Sequence, residues 1–165
     1  MDELNKRVYS VSGLFRDIFK LLKSPGLAVG VLWGNSLPPR FRERLSLAVI
    51  SVTRCRFCAH HHTREALQCG LSQDDVNHLL GGVFEKAPLD EAKALLYARH
   101  WTEQNGRPDS RAQAELFEIY GEKKSRAIEM MLLLVRIGSL SGNTIEYFLH
   151  RLSGGRWGGS KAEYN

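Results

Sequence analysis

Apolar residues recur along this chain at helical spacing and almost never alternate with polar ones at strand spacing. In residues 8–22, Val11, Leu14, Phe15, Ile18, Phe19 and Leu22 fall on one 3.6-residue stripe, which Ser24-Pro25-Gly26 closes. Arg16, Lys20 and Lys23 beside the stripe would suit a helix lying on a membrane surface. A helix packed on the core or on another subunit is the simpler reading, and no membrane partner is expected. A short apolar segment, 27–33, leads to the Pro38-Pro39 break. Residues 41–52 read as a helix with Leu45, Ala48, Val49 and Val52 inward. Thr53 is the expected N-cap of the next helix, which runs to Gly70.

Ser72, with Asp75 three residues on, opens another short helix through a variant capping box, and Gly81-Gly82 closes it. Residues 89–101 repeat the pattern with Leu89, Ala92, Leu95, Leu96 and Ala98. A loop at Asn105-Gly106-Arg107-Pro108 follows, then a helix from Ser110 to Tyr120-Gly121. The last long helix, 122–152, uses Ile128, Met131, Leu132, Val135, Ile145, Phe148 and Leu149. Gly138 and Gly142 within it mark close helix packing or a kink. The single β-branched run, Ala48-Val49-Ile50-Ser51-Val52, sits inside a helical frame. The expected fold class is all-α: one helical domain over 1–153, then a flexible glycine-rich tail, 154–165.

Composition narrows the function classes. At 165 residues the chain is long enough to bury a core as one domain. No uncharged apolar run approaches the roughly 20 residues that span a bilayer, and the start MDELNKR has no signal-peptide pattern. A cytoplasmic location is expected. The net charge of +5 is spread along the chain among acids, without the basic and aromatic interleaving of single-strand binders, so nucleic acid is not an expected partner. Three cysteines, an odd number, do not make a disulfide framework.

All three cysteines, with three of the six histidines, lie in the stretch RCRFCAHHHTREALQCG, residues 54–70. On a helical wheel Cys55, Cys58 and His62 share one face, and neighbours three and four apart touch. His60 points away and His61 lies on the flank. A zinc site needs four ligands, usually as two pairs. The chain has one Cys pair and no second one, so no metal is expected. A redox site needs a thiolate and a resolving thiol within disulfide reach, which C-x-x-C at a helix start supplies; two structural thiols in a core helix are the plainer alternative. Cys69 lies eleven residues past Cys58, about 16 Å along a helix. That exceeds the ~7 Å limit between bridged Cα atoms, so Cys69 is expected to be a buried, inert thiol. The helix dipole favours Cys55 as nucleophile, whereas a histidine one turn away favours Cys58. Glu43 can join them only if the preceding helix folds back through a break near Thr53.

Glu43, Cys55, Cys58 and His62 form E-x₁₁-C-x-x-C-x-x-x-H. With the surrounding LSLAVISVTRCRFCAHHHTREALQCGLSQDDV, residues 45–76, this resembles the alkylhydroperoxidase D-like family of the carboxymuconolactone decarboxylase superfamily. The core motif spans 43–80; the terminal helices are similar only in general character. The resemblance implies a compact all-helical bundle that assembles into a homo-oligomer, a trimer or hexamer, and reduces peroxides through a cysteine pair. It implies Cys58 as the peroxidatic cysteine, Cys55 as the resolving one, and Glu43 with His62 as a proton relay. No cofactor is expected to bind tightly. The partners would be a hydroperoxide and a dithiol donor such as dihydrolipoamide, carried on a donor protein or lipoyl domain. Members acting as decarboxylases generally lack the cysteine pair. Some alkylhydroperoxidase D proteins carry a histidine between the cysteines, where this chain has Phe57. A general dithiol–disulfide oxidoreductase and a non-catalytic redox-sensing module are the alternative functions.

Overall fold

The computed structural model describes residues 6–34 and 36–157. The described residues contain helices and no strands: α1 (Val11–Leu22), α2 (Pro25–Leu32), α3 (Pro39–Thr53), α4 (Arg56–Gln68), α5 (Gln73–Leu80), α6 (Leu89–Glu103) and α7 (Ser110–Leu152). The all-α class follows directly. The far end of the glycine-rich tail, 158–165, lies outside the described residues.

The helix α3 is the axis of the bundle, packed against α4, α5, α6 and α7. Its Phe41, Leu45, Leu47, Ala48, Val49 and Ile50 are all enclosed. Leu47 and Ile50 join the expected inward set, because the middle of this central helix, residues 45–50, is enclosed on every side, whereas Val52, near its end, is only half-buried. The buried Ser46 hydroxyl is satisfied by donating to the Arg42 carbonyl, 2.8 Å.

Local signals set most boundaries. Pro25 and Pro39 stand in the first turns of α2 and α3, where a missing N–H is harmless. The apolar segment after the first helix is thus itself a helix, and Ser24-Pro25-Gly26 starts it as well as ending α1. Ser72 and Asp75 complete a reciprocal capping box at α5. Gly121 has φ 72° and ψ 161°, so α7 is two helices, 110–120 and 122–152, meeting at a glycine hinge. By length and composition α7 could cross a bilayer, but more than half of its apolar window is buried inside the bundle.

Three apolar sets face differently from their sequence reading. In α1 the enclosed residues are Gly13 and Asp17, while Val11, Phe15, Phe19 and Leu22 are exposed. Polar groups hold the inner face: Asp17 pairs with Arg136 of α7 at 3.1 Å, Arg16 donates to the Asn105 carbonyl, and Lys20 donates to the Gly106 carbonyl. In α6 the buried face is Ala94, Leu95, Tyr97, Ala98 and Trp101, which leaves Leu89 and Leu96 outside. Leu89 opens that helix, one turn short of the first buried position. In α7, Ile128, Met131, Leu132 and Val135 are core as expected. Ile145, Phe148 and Leu149 are exposed, because the helix runs on past the elements that cover its first half.

Candidate redox site

The site is built on the turn between α3 and α4. Thr53 closes α3, and Arg54 takes the left-handed conformation (φ 56°, ψ 33°) while donating its N–H to the Ile50 carbonyl, 2.8 Å. For a residue with a Cβ this conformation costs about 1–2 kcal/mol. It reverses the chain within a single residue, so α4 folds back along α3. The expected break near Thr53 is present, but the cap is different. Thr53 does not cap α4: Cys55 does, with its sulfur accepting the Cys58 N–H at 3.2 Å. A left-handed residue between Thr53 and Cys55 shifts the cap position two residues on.

This correction moves Cys55 from the helix to its N-cap and puts Cys58 in the first turn, three residues on. Their Cα atoms are 5.2 Å apart and their sulfurs are bonded. Both sulfurs lie at the positive end of α4, so the helix dipole does not single out Cys55. Accessibility separates them: Cys55 is buried at 1% exposure, whereas Cys58 is half-buried.

The fold-back also brings Glu43 of α3 to His62 of α4. Glu43 Oε2 and His62 Nδ1 are 2.8 Å apart, with Glu43 itself largely enclosed. A carboxylate at Nδ1 selects the tautomer with the proton there and leaves Nε2 with its lone pair. His62 lies one turn beyond Cys58, so residues Glu43, Cys58 and His62 share one region. The edge of the His61 ring packs against His62, with centroids 5.0 Å apart, and His60 is exposed. Phe57, at 81% exposure, stands on the outer face between the two cysteines in sequence. Among the described residues no group of three or more His, Cys, Asp or Glu could hold a metal ion.

Cys69 caps the C-terminus of α4 as a free thiol that is half-buried rather than enclosed as expected, and its sulfur donates to the Ala66 carbonyl. Burial pushes its pKa up, and the nearby Glu43 carboxylate pushes it further, so its thiolate is disfavoured. Arg40 of α3 donates to the Cys69 carbonyl at 2.7 Å, closing the far end of the α3–α4 pair.

Two residues of α7 complete the site, and sequence reading assigned them no part in it. Gly142 lies against Cys55: a methyl group in its place would stand 3.4 Å from the Cys55 sulfur. Asn143, fully buried, donates from Nδ2 to the Thr53 carbonyl at 2.7 Å and to the Arg7 carbonyl at 2.9 Å. It therefore pins the peptide that leads into the strained Arg54 turn. The available signal was the Gly142-Asn143 dipeptide inside a helix of apolar periodicity. Its glycine marks a close approach of the cysteine turn, while Gly138 faces open space.

No curated protein and no solved structure matches the chain. Residues 26–104 match the family model described as carboxymuconolactone decarboxylase family. The match takes in almost all of α2 and the whole of α3 through α6, and with them Glu43, Cys55, Cys58 and His62. Over that span, a little under half of the chain, the sequence is similar to the carboxymuconolactone decarboxylase family.

Proposed function

We propose that the chain is a thiol-dependent hydroperoxide reductase of the alkylhydroperoxidase D type. The observation that carries this reading is a carboxylate-bound imidazole, Glu43–His62, one helical turn from a cysteine bonded to its neighbour.

In the reduced enzyme, His62 Nε2 takes the Cys58 thiol proton, and Glu43 holds the imidazole in place and stabilises its cationic form. The Cys58 thiolate attacks the terminal oxygen of the hydroperoxide. The O–O bond breaks, the sulfur becomes a sulfenic acid, and the leaving alkoxide takes the proton back from His62. The Cys55 thiol then attacks the Cys58 sulfur and expels water, forming the disulfide. A dithiol donor of the dihydrolipoamide class, free or carried on a protein such as a lipoyl domain, attacks the accessible Cys58 sulfur. Its second thiol displaces Cys58, which leaves the donor as a cyclic disulfide and both cysteines reduced. The burial of Cys55 beside a half-exposed Cys58 supports this division of roles. A compartment rich in dithiols, the cytoplasm, suits such a cycle.

Hydroperoxide consumption with dihydrolipoamide, compared with dithiothreitol and a monothiol, tests the reading. Many turnovers per chain are expected with the dithiols. A single equivalent consumed per chain would identify a sensor, and thiol exchange without peroxide loss would identify a general oxidoreductase.

A further inference from the structure

A cleft of about 310 Å³ lies between α1, α2, α6 and both halves of α7. That volume is at the small end of the ~300–1,000 Å³ range of ligand sites. Leu27, Trp101, Met130 and Leu133 give it apolar walls, and Lys20 and Glu129 bring one charge each. Arg126 also reaches it, but Glu122 takes up that charge at 2.7 Å. Glu129 stands thirteen residues before Gly142, the glycine facing Cys55, which is about 20 Å along the same helix. The cleft is separate from the redox pair.

Lys20 and Glu129 line one cleft, yet they form no ion pair with each other or with any other described residue. Neutral groups hold each of them instead. Glu129 is half-buried, and its Oε1 accepts both from the Tyr97 hydroxyl and, at 2.8 Å, from Gln113 Nε2. Its Oε2 has no partner among the described residues. Burial, and then the Glu129 carboxylate, push the Tyr97 pKa up, so the phenol stays a donor. Lys20, on the exposed side of the cleft, donates only to the Gly106 carbonyl, 3.0 Å away. Desolvation, and then the Arg16 charge, pull its pKa down; the Asp17 and Glu129 carboxylates oppose that fall without reversing it. Charged groups withdrawn from water are normally paired. An ammonium and a carboxylate oxygen left without counter-charges between apolar walls are complementary to a ligand that carries both.

We propose that this cleft binds a small apolar amino acid, whose ammonium donates to Glu129 Oε2, whose carboxylate accepts from Lys20, and whose side chain lies against the apolar walls. A ligand with a single charge would satisfy one of the two groups and leave the other uncompensated. Lys20 disfavours a metal cation, and Glu129 with the apolar walls disfavours an inorganic anion. Lys20 stands on α1 and Glu129 on α7, so the bound ligand ties the two helices together and stabilises the folded chain. The site is independent of the cysteine chemistry, and its test reads binding alone.

Leucine, phenylalanine and ε-aminocaproate, in which the two charges are further apart, are titrated into the full-length protein by calorimetry and by thermal unfolding. Each is compared with two analogues of the same carbon frame, one without the carboxylate and one without the amine; for leucine these are isopentylamine and isocaproate. At least one of the three amino acids should bind and raise the unfolding temperature, and both of its one-charge analogues should bind at least about tenfold more weakly. Lys20→Met and Glu129→Gln should each weaken that binding by about tenfold or more. Glutamine still accepts from Tyr97 and Gln113, and Lys20 lies on the exposed side, so Lys20→Met decides the matter if Glu129→Gln does not fold. The proposal is overturned if none of the three amino acids binds at concentrations up to about 10 mM. It is overturned if an amine-only analogue matches its amino acid, which would leave a cation site at Glu129, or if a carboxylate-only analogue does, which would leave an anion site at Lys20. Unchanged amino-acid affinity in Lys20→Met would place the binding elsewhere and overturn it as well.

Discussion

Asp17 on α1 and Arg136 on α7 form an ion pair from which water is almost wholly excluded: their side chains are 1% and 4% exposed, with Oδ2 3.1 Å from Nη1. Tyr9 donates its hydroxyl to the same Asp17 oxygen at 3.0 Å. Burial pulls the Arg136 pKa down, and the Asp17 charge opposes that fall. Removing one partner of a buried pair leaves the other charge uncompensated. Asp17→Ala should therefore destabilise the fold by about 3–5 kcal/mol, read from urea unfolding. Adding Arg136→Met should restore part of the loss, since two apolar groups leave no buried charge. A loss below about 1 kcal/mol, the level of a surface ion pair, would contradict this burial.

That same pair turns the apolar face of α1 outward. Val11, Phe15, Phe19 and Leu22 form an exposed stripe, and Ile145, Phe148 and Leu152 add apolar surface at the end of α7. Contiguous apolar surface on a folded protein marks a place of contact. The expected contact is with further copies of this chain, in a trimer or hexamer. Light scattering at micromolar concentration should give a homo-oligomer for the wild type. Phe15→Asp combined with Phe19→Asp should lower the mass toward the monomer without changing the helical circular dichroism. A monomeric wild type would count against the assembly.

How much of this was legible in the sequence depends on what each signal can carry. Gly121, Ser72 and the Pro38-Pro39 pair act through their own backbone geometry, so their breaks and caps could be placed directly. Periodicity identified the α1 stripe but not the side it faces, because an edge helix can bury either face if its polar residues find partners. Those partners, Arg136 and the carbonyls of Asn105 and Gly106, lie between 86 and 119 residues away in the chain. A helical wheel places neighbours on one element only. It could group Cys58 with His62, but the approach of Glu43 required the one-residue reversal at Arg54. Asn143 was illegible for the same reason: an isolated polar residue in a core helix does not reveal which distant carbonyl it binds.

Glu146 of α7 ties down the start of α4 and the N-terminal segment, accepting from Arg56 at 2.6 Å and from Lys6 at 2.9 Å. Burial alone would raise its pKa. The hydrogen bonds and charges of Lys6 and Arg56 outweigh burial and hold the carboxyl below its usual value. A depressed folded pKa means that the unfolded chain binds the proton more readily. The stabilisation is therefore present above the unfolded value of about 4.3 and is lost as pH falls through the folded value. Glu146→Gln should lower the unfolding free energy at pH 7 by up to about 1 kcal/mol given the partial exposure, read from urea unfolding. The gap to wild type should close progressively below about pH 4. A gap that stays constant down to pH 3 would show that the charge is not responsible.

The Glu43–His62 contact predicts a matched pair of losses. Glu43→Gln keeps a hydrogen-bond acceptor but removes the charge that stabilises imidazolium, and His62→Ala removes the base. Each should slow peroxide turnover by about 10²-fold or more at saturating dithiol, with the circular dichroism unchanged. The double variant should be little worse than the worse single one, because the two side chains act as one unit. Near wild-type turnover in both single variants would exclude the relay.

The roles proposed for the two sulfurs can be tested separately. Cys55 is the N-cap, buried against Gly142, whereas Cys58 is half-buried in the first turn. Both receive the helix-terminal field, worth about 0.3–1 kcal/mol at an exposed site, so that field does not choose between them. Only Cys58 has an imidazole one turn away, and it is the more exposed residue of the two. The two single variants are each treated with one equivalent of hydroperoxide and a sulfenic-acid trap. Cys55→Ser should accumulate trapped sulfenic acid on Cys58, because the thiol that would condense with it is missing. Cys58→Ser should react slowly and trap little. In the wild type, peptide mapping after mild oxidation should recover a Cys55–Cys58 link and leave Cys69 free to alkylate, since its thiolate is disfavoured and its sulfur is committed to the Ala66 carbonyl. Trapping on Cys55 in the Cys58→Ser variant at the faster rate would exchange the two roles, and a main product linking Cys69 would mean that α4 opens during the reaction.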